Sequence, residues 1–317
     1  MDFQLSDDQR ALRAGIRELL AGRFGRDRMR AALDAGTDVD RVLWGELGAA
    51  GFFALRLPEA EGGVGLGLPE SVLLFEEAGR ALLPGPLAAT HLAAGAVKGA
   101  AEGGTVVAVL DEGRPVAHLG SADALIALVG GEMRVLEGAA LREFVRGAAH
   151  PVRSLDPLTP LHRVTAPAAL GDSRAGAEAA RFRQEGVLLA AAEQLGSAAR
   201  TTEMAVQHAR GREQFGSPIG AFQAVKHLCA QMLVRAELAR TAVYAAAVTA
   251  DPAEIAGAKL LADEAAVRNA RDCLQVHGGM GFTWEADVHL HLKRAWLRAG
   301  QWLTAAEAEE TLAADLR

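Results

Sequence analysis

Short runs of β-branched and aliphatic residues are confined to one stretch of this chain, between about residues 103 and 170. Segments 105–110, 124–129 and 133–136 alternate with glycine, proline and aspartate, and Val164 marks the start of a fourth run. This pattern is typical of short strands. Residues on both sides follow helical spacing instead. The order therefore predicts a mainly α protein with one small β region.

The flanking regions carry clear helix signals. Ser6 and Gln9 form a predicted capping box, because each side chain can bond the backbone N–H of the other. Towards the C-terminus, helical patterns cover about 181–210, 221–249, 251–276 and 287–298, and a last one starts at 305. Long helices joined by short loops predict a bundle. We therefore expect an N-terminal helical domain (1–102), a reduced middle β domain (103–172) and a C-terminal four-helix bundle (173–317).

Charge and hydropathy exclude several classes of function. The 317 residues carry a formal net charge of −7, so the broad basic face of nucleic-acid-binding proteins is not expected. No apolar run reaches the ~18 residues of a membrane span, and the N-terminus lacks the features of a signal peptide. We expect a cytoplasmic protein. Cys229 and Cys273 lie in apolar helical patterns and are predicted to be buried, reduced thiols.

Two segments of the C-terminal region carry a signature. Residues 212–223 read Arg-Glu-Gln-Phe-Gly-Ser-Pro-Ile-Gly-Ala-Phe-Gln, and residues 275–285 read Gln-Val-His-Gly-Gly-Met-Gly-Phe-Thr-Trp-Glu. Together they resemble the C-terminal flavin-binding signature of the acyl-CoA dehydrogenases. The resemblance implies FAD as cofactor, an acyl-CoA substrate and the helical, β and bundle domains outlined above. It also implies that both segments reach across a subunit interface to FAD bound mainly by a neighbouring subunit.

The chemistry of these residues suits that role. A guanidinium such as that of Arg212 can bond two pyrophosphate oxygens at once, and the Phe215 ring can pack beside a flavin. A glycine backbone lets a phosphate approach closely, although Gly278 and Gly279 are also expected to end the preceding helix. The resemblance assigns the cofactor contacts to six residues, which are Arg212, Gln214, Phe215, Gln275, Gly278 and Gly279.

The catalytic base implied by the resemblance is a Glu that removes the proton alpha to a thioester, while the flavin takes hydride from the beta carbon. At the two positions where the family places this Glu, the chain has Trp302 and Gly186. Glu185 is the neighbouring carboxylate, but one residue along a helix is a rotation of ~100°. We therefore predict no catalytic residue at the usual positions, keep Glu185 as a shifted candidate, and favour a surface carboxylate as its interpretation.

The middle region also lacks segments that the family uses for catalysis. Neither the Thr-Glu-Pro-type loop nor the Trp-x-Thr-type strand that covers the flavin ring occurs between Gly103 and Thr165. These departures resemble the shortened subunit of actinobacterial heteromeric, steroid side-chain-type acyl-CoA dehydrogenases. That resemblance implies a heterotetramer in which a full-length subunit supplies the Glu. The family usually passes electrons to an electron-transferring flavoprotein, which is therefore a candidate partner, although these residues do not identify the electron acceptor.

Three hypotheses remain open from the sequence. The chain is a subunit that completes a partner's FAD site, a self-sufficient homo-oligomeric dehydrogenase with a relocated base, or a non-enzymatic scaffold of the same fold. His289 and His291 are two residues apart and lie on different helical faces, so no metal site is expected. Neither the acyl group nor the partner can be identified from these residues.

Overall fold

The computed structural model describes residues 4–165, 173–174 and 176–315, and its contacts divide the chain into two compact units. The helical unit consists of Met1–Arg17, Val72–Leu83 and Val187–Arg317. The mixed unit consists of Glu18–Ser71 and Pro84–Gly186. The mainly α fold class with a small β region is confirmed, while the three domain boundaries stay a prediction. None of the described helices is long and apolar enough to cross a membrane.

Helices make up most of the described chain. The predicted capping box at the first of them is confirmed, since the backbone N–H groups of Ser6 and Gln9 each bond the other's side chain at 3.1 Å. The helices are α1 Asp7–Arg23, α2 Arg26–Ala35, α3 Arg41–Ala49, α4 Leu68–Arg80, α5 Leu87–Ala93, α6 Gly138–Ala148, α7 Gly176–Gly211, α8 Gln223–Thr249, α9 Pro252–His277, α10 Val288–Arg298 and α11 Ala305–Asp315.

The strands form two small sheets in the mixed unit and one hairpin in the helical unit. They are β1 Val107–Asp111, β2 Val116–Ala117, β3 Ala124–Val129, β4 Glu132–Glu137, β5 Ala149–Val152, β6 Leu161–Val164, β7 Ser173–Arg174, β8 Glu213–Gln214 and β9 Ser217–Pro218. The first sheet has the order β1-β3-β4-β7, in which β1 and β3 are parallel and β3 and β4 antiparallel. The second sheet has the order β2-β6-β5. Leu110, Leu125, Leu136 and Phe144 belong to the buried core of this unit.

The helical unit is held together by close helix packing and by buried polar contacts. An added Cβ at Gly196 of α7 would lie 1.8 Å from the carbonyl oxygen of Glu76 on α4, so only glycine allows this approach. Asp263 accepts a hydrogen bond from Gln194 at 2.8 Å and pairs with buried Lys259. Such groups are stable in a core because each is paired. These contacts fix α7, from whose end the first signature segment emerges.

Candidate flavin-contact surface

The first signature segment forms a β-hairpin directly after α7. Gln214 of β8 pairs with Ser217 of β9, which leaves Phe215 and Gly216 as a two-residue loop. Both loop residues have positive φ, 55° and 77°. A two-residue hairpin of type I′ requires positive φ at both positions and strongly favours Asn or Gly there. A bulky residue in this conformation is an outlier, so the hairpin holds Phe215 at a cost in backbone energy.

The strained backbone directs the Phe215 side chain into solvent. The residue is 94% exposed, and its ring contacts the Phe222 ring edge-on, at 6.2 Å between centroids. Exposed single apolar residues are common on proteins, but a fully exposed phenylalanine in a strained turn contributes nothing to the core. The Phe215 side chain therefore adds little to the packing of this unit.

Arg212 and Gln214 flank the loop, and the backbone after it folds back onto α7. Both side chains are exposed, and the Arg212 guanidinium has no hydrogen-bond or ion-pair partner among the described residues. Gln214 donates to the carbonyl of Glu213 at 2.7 Å. The Ile219 N–H bonds the Arg212 carbonyl at 2.8 Å, and a Cβ at Gly220 would lie 3.0 Å from the Ala209 carbonyl oxygen. The hairpin is thus anchored while its Arg212 side chain stays available.

The second signature segment is the turn that ends α9. Gly278 caps the helix with φ 60° and ψ −142°, a conformation open only to glycine, and its N–H bonds the carbonyl of Gln275. The predicted helix stop is confirmed at this residue. Gly279 has no positive φ, and an added Cβ there would meet nothing within 4 Å. Folding therefore requires glycine at position 278 but not at 279.

The surface around this turn is unusually apolar and partly cationic. Met280, Phe282 and Trp284 are 63%, 75% and 50% exposed, and the Lys293 ammonium lies 5.1 Å from the centre of the Trp284 ring. The Gln275 side chain is exposed and has no hydrogen-bond partner among the residues that the structure describes. Contiguous exposed apolar side chains of this kind mark interaction sites.

Two histidines that the motif analysis did not single out join the segments. His208 lies in the last turn of α7 and His277 is the last residue of α9, and their rings stack at 4.1 Å between centroids with an interplanar angle of 20°. This contact brings the hairpin end of α7 beside the glycine turn of α9. His208 lies four residues before Arg212 and His277 directly precedes Gly278, and these positions are the sequence signal for the pair.

The positions that the resemblance assigns to the catalytic base hold no ionisable group. Gly186 is buried within α7. Trp302 follows α10 with φ 62° and is only 8% exposed. Neither residue can take a proton from a substrate carbon. The described chain thus carries no base at either place.

Glu185 is not the surface carboxylate that the sequence favoured. Its side chain is 13% exposed, and both carboxylate oxygens accept hydrogen bonds from Arg56, at 2.7 and 2.9 Å. A bidentate guanidinium–carboxylate pair fixes the direction of the carboxylate. Both oxygens of Glu185 are thus engaged by Arg56, which weakens it as a shifted base.

Glu193 is the other carboxylate on α7 close to these positions, and it too has a structural partner. It is buried and pairs with Arg298 of α10 at 2.5 Å. Burial raises the pKa of Glu193, against the opposing effect of Arg298. Among the described residues no group of three or more His, Cys, Asp or Glu side chains could hold a metal ion.

Comparison with known proteins identifies the family. The family model for the acyl-CoA dehydrogenase N-terminal domain matches residues 6–105. The model for the acyl-CoA dehydrogenase C-terminal domain matches residues 179–300. The chain belongs to the acyl-CoA dehydrogenase family. These enzymes are oxidoreductases that use FAD. The C-terminal match contains all six residues of the predicted flavin-contact surface.

The chain is similar in sequence to curated acyl-CoA dehydrogenases and in fold to solved structures. The chain is 34% identical over 304 residues to acyl-CoA dehydrogenase IpdE2 of Mycobacterium tuberculosis, which covers 91% of each protein. Its fold is similar to that of the ChsE4–ChsE5 complex of M. tuberculosis, with TM-score 0.84, 22% identity and coverage of 100% of this chain and 99% of that one. PigA with FAD and proline has TM-score 0.86 at 19% identity, covering 100% and 99%.

Proposed function

We propose that this chain is a subunit of a FAD-dependent acyl-CoA dehydrogenase that desaturates an acyl-CoA thioester at the alpha–beta bond. Its part in the reaction is to complete the FAD site of a full-length partner subunit. FAD, when bound, supplies the acceptor for the hydride that leaves the beta carbon. The residues of this chain bind and orient that cofactor.

The observation that carries the proposal is the contrast between the two kinds of site. Among the residues that the structure describes, the flavin-contact surface presents an unpaired guanidinium on Arg212, an unpaired amide on Gln275 and an exposed aromatic ring on Phe215. These groups, with the bare backbone at Gly279, fit the diphosphate and ring system of a dinucleotide. The base positions Gly186 and Trp302, in contrast, offer no proton acceptor.

The assembly of the similar ChsE4–ChsE5 complex from two different chains supports a heteromer here as well. Because its own carboxylate candidate is tied to Arg56, the self-sufficient enzyme with Glu185 as base is the weaker alternative. We further propose a CoA thioester of a bulky, steroid-like acid as substrate, on the resemblance to the shortened subunits of steroid side-chain-type acyl-CoA dehydrogenases. An electron-transferring flavoprotein is the proposed acceptor.

The test is the flavin content of the assembly purified through a tag on this chain. Arg212→Ala should release FAD, and Arg210→Ala is the matched control because Arg210 is also exposed and lies two residues earlier on α7. We expect a loss of tenfold or more in FAD affinity for the first variant, since a charge-assisted contact contributes about 1.5–3 kcal/mol. Equal flavin content in both variants would contradict the assignment.

The same preparation separates the alternatives. A chain that is yellow and oxidises acyl-CoA without any second protein would support the self-sufficient enzyme. A chain that is colourless alone, and yellow with a co-purified full-length subunit, supports the completing role. An assembly that never contains flavin would support the scaffold.

A further inference from the structure

The stacked histidines occupy a position that the two signature segments do not explain. His208 and His277 lie where the hairpin and the glycine turn emerge from their helices, so any ligand that contacts both segments passes close to them. Each ring comes from a different helix, α7 or α9, and the stack at 4.1 Å is a direct link between the segments. The stack therefore joins the ends of the two helices from which Arg212 and Gly278 follow.

Hydrogen bonding leaves most of the ring nitrogens available. His277 Nδ1 lies 2.8 Å from the Cys273 carbonyl oxygen, and because a carbonyl only accepts, this nitrogen carries the proton. The Cys273 Sγ lies 3.6 Å from the same nitrogen. Neither His277 Nε2 nor the His208 ring has a hydrogen-bond or carboxylate partner among the described residues. Three ring nitrogens are thus free to contact a ligand.

The surrounding charges are cationic. Burial lowers the pKa of His208, and His277 and then the guanidinium of Arg212 lower it further. These neighbours therefore disfavour the charged form of the His208 ring while no ligand is bound. An anion bound to Arg212 reverses this balance, since it neutralises the guanidinium and attracts a proton onto the adjacent imidazole. One proton suffices for two rings, because two stacked imidazolium ions repel each other.

We propose that the His208–His277 stack is a further contact for the FAD diphosphate, and that it takes up one proton when the dinucleotide binds beside Arg212. This inference rests on the proposed function of the surface. The stack adds a cation to the site only while the ligand is bound. The empty surface then avoids two neighbouring positive charges, on Arg212 and on the stack.

Linkage fixes the sign of the pH effect. The pair holds a proton more tightly in the complex than in the free protein, so FAD affinity rises as the pH falls. One proton changes affinity by at most tenfold per pH unit, and only between the free and bound pKa values. We expect FAD to bind about fivefold to tenfold more tightly at pH 6 than at pH 8.

The experiment uses the assembly purified through a tag on this chain, stripped of flavin and titrated with FAD at pH 6 and pH 8. The double variant His208→Phe, His277→Phe keeps two stacking rings but cannot titrate, so its two affinities should agree within twofold. His150→Phe is the control, because this exposed histidine lies on β5 in the mixed unit and its loss should leave the ratio unchanged. A double variant that keeps the wild-type ratio overturns the inference.

A second measurement does not depend on any variant. Calorimetric titration of the wild-type assembly with FAD at pH 7, in two buffers of different ionisation enthalpy, counts protons directly. We expect uptake approaching one proton per site, and no uptake overturns the inference. If FAD binds with the same affinity at both pH values, only the proton-linked contact is overturned. If the assembly never binds FAD, both this inference and the proposed function are overturned.

Discussion

Replacing Phe215 with Asn separates the contribution of this residue to folding from its contribution to binding. A buried aromatic side chain removes about 150–250 Å² from water, but Phe215 is 94% exposed, so only about 10–15 Å² is covered. At about 25 cal/mol per Å², that burial stabilises the chain by only ~0.3 kcal/mol. The edge-on contact with Phe222 adds at most about 0.5–1.5 kcal/mol.

The backbone works in the opposite direction. A non-glycine residue in the left-handed region costs about 1–2 kcal/mol, and asparagine tolerates that region best among residues with a Cβ. Asn before Gly216 is also the pair that two-residue hairpins prefer. We therefore expect the free energy of unfolding of Phe215→Asn to lie within about 1 kcal/mol of wild type.

Binding should respond much more strongly. If the ring packs against the flavin or the partner subunit, its full burial contributes about 1.5–3 kcal/mol, which corresponds to a loss of roughly 10-fold to 150-fold in flavin retention. Urea unfolding followed by circular dichroism measures the first quantity, and fluorescence titration of the flavin-stripped assembly measures the second. Phe53→Ala is the contrasting control, since Phe53 is 1% exposed and its loss should cost about 3–5 kcal/mol in stability.

The opposite result would refute the reasoning. A Phe215→Asn chain that loses more than about 2 kcal/mol of stability, while the assembly binds FAD as before, would make the ring a structural element. The strained turn would then belong to the fold.

Two further predictions test the remaining groups. Glu185→Gln removes the charge that pairs with Arg56 and should lower the free energy of unfolding by about 1–3 kcal/mol, which is less than the ~3–5 kcal/mol for a fully buried pair. The assembly should keep its dehydrogenase activity. An inactive variant of normal stability would support Glu185 as the base. Buried His91 donates a hydrogen bond from Nδ1 to the Phe52 carbonyl at 3.0 Å, and burial lowers its pKa to about 4, so the unfolded chain protonates first as the pH falls. Stability should therefore drop by about 2 kcal/mol between pH 7 and pH 5, and this slope should be smaller in His91→Gln; equal slopes in urea unfolding would contradict the assignment.

Local signals explain which parts of the fold the sequence predicts. The strand over 124–129 coincides with the observed β3, because Gly130 and Gly131 with positive φ end it sharply. The start of α9 follows from Asp251, whose side chain accepts from the N–H groups of Ala253 and Glu254, and from Pro252 in the first turn. In each case the decisive interaction lies within a few residues of the chain.

Other elements depend on contacts that lie far apart in sequence. Helix α6 was not predicted, although Leu141, Phe144 and Ala148 recur at helical spacing and are buried. Strand β2 is two residues long and exists only because it pairs with β6. The ion pair of Glu185 with Arg56 spans 129 residues, so the sequence gives no sign that this carboxylate is enclosed.

The candidate site illustrates the same division. Its residues are visible in sequence because they cluster in two short segments, but their use depends on geometry. Gly220 and Gly281 are explained by folding alone, since an added Cβ would lie 3.0 Å from a carbonyl oxygen at each. Packing explains neither Phe215 nor Gly279. Phe215 has a strained backbone with positive φ, and an added Cβ at Gly279 would meet nothing within 4 Å. Such local costs persist where a function compensates them. Within this surface, therefore, Gly220 and Gly281 belong to the folded scaffold. Phe215 and Gly279 are the positions that ligand binding would explain.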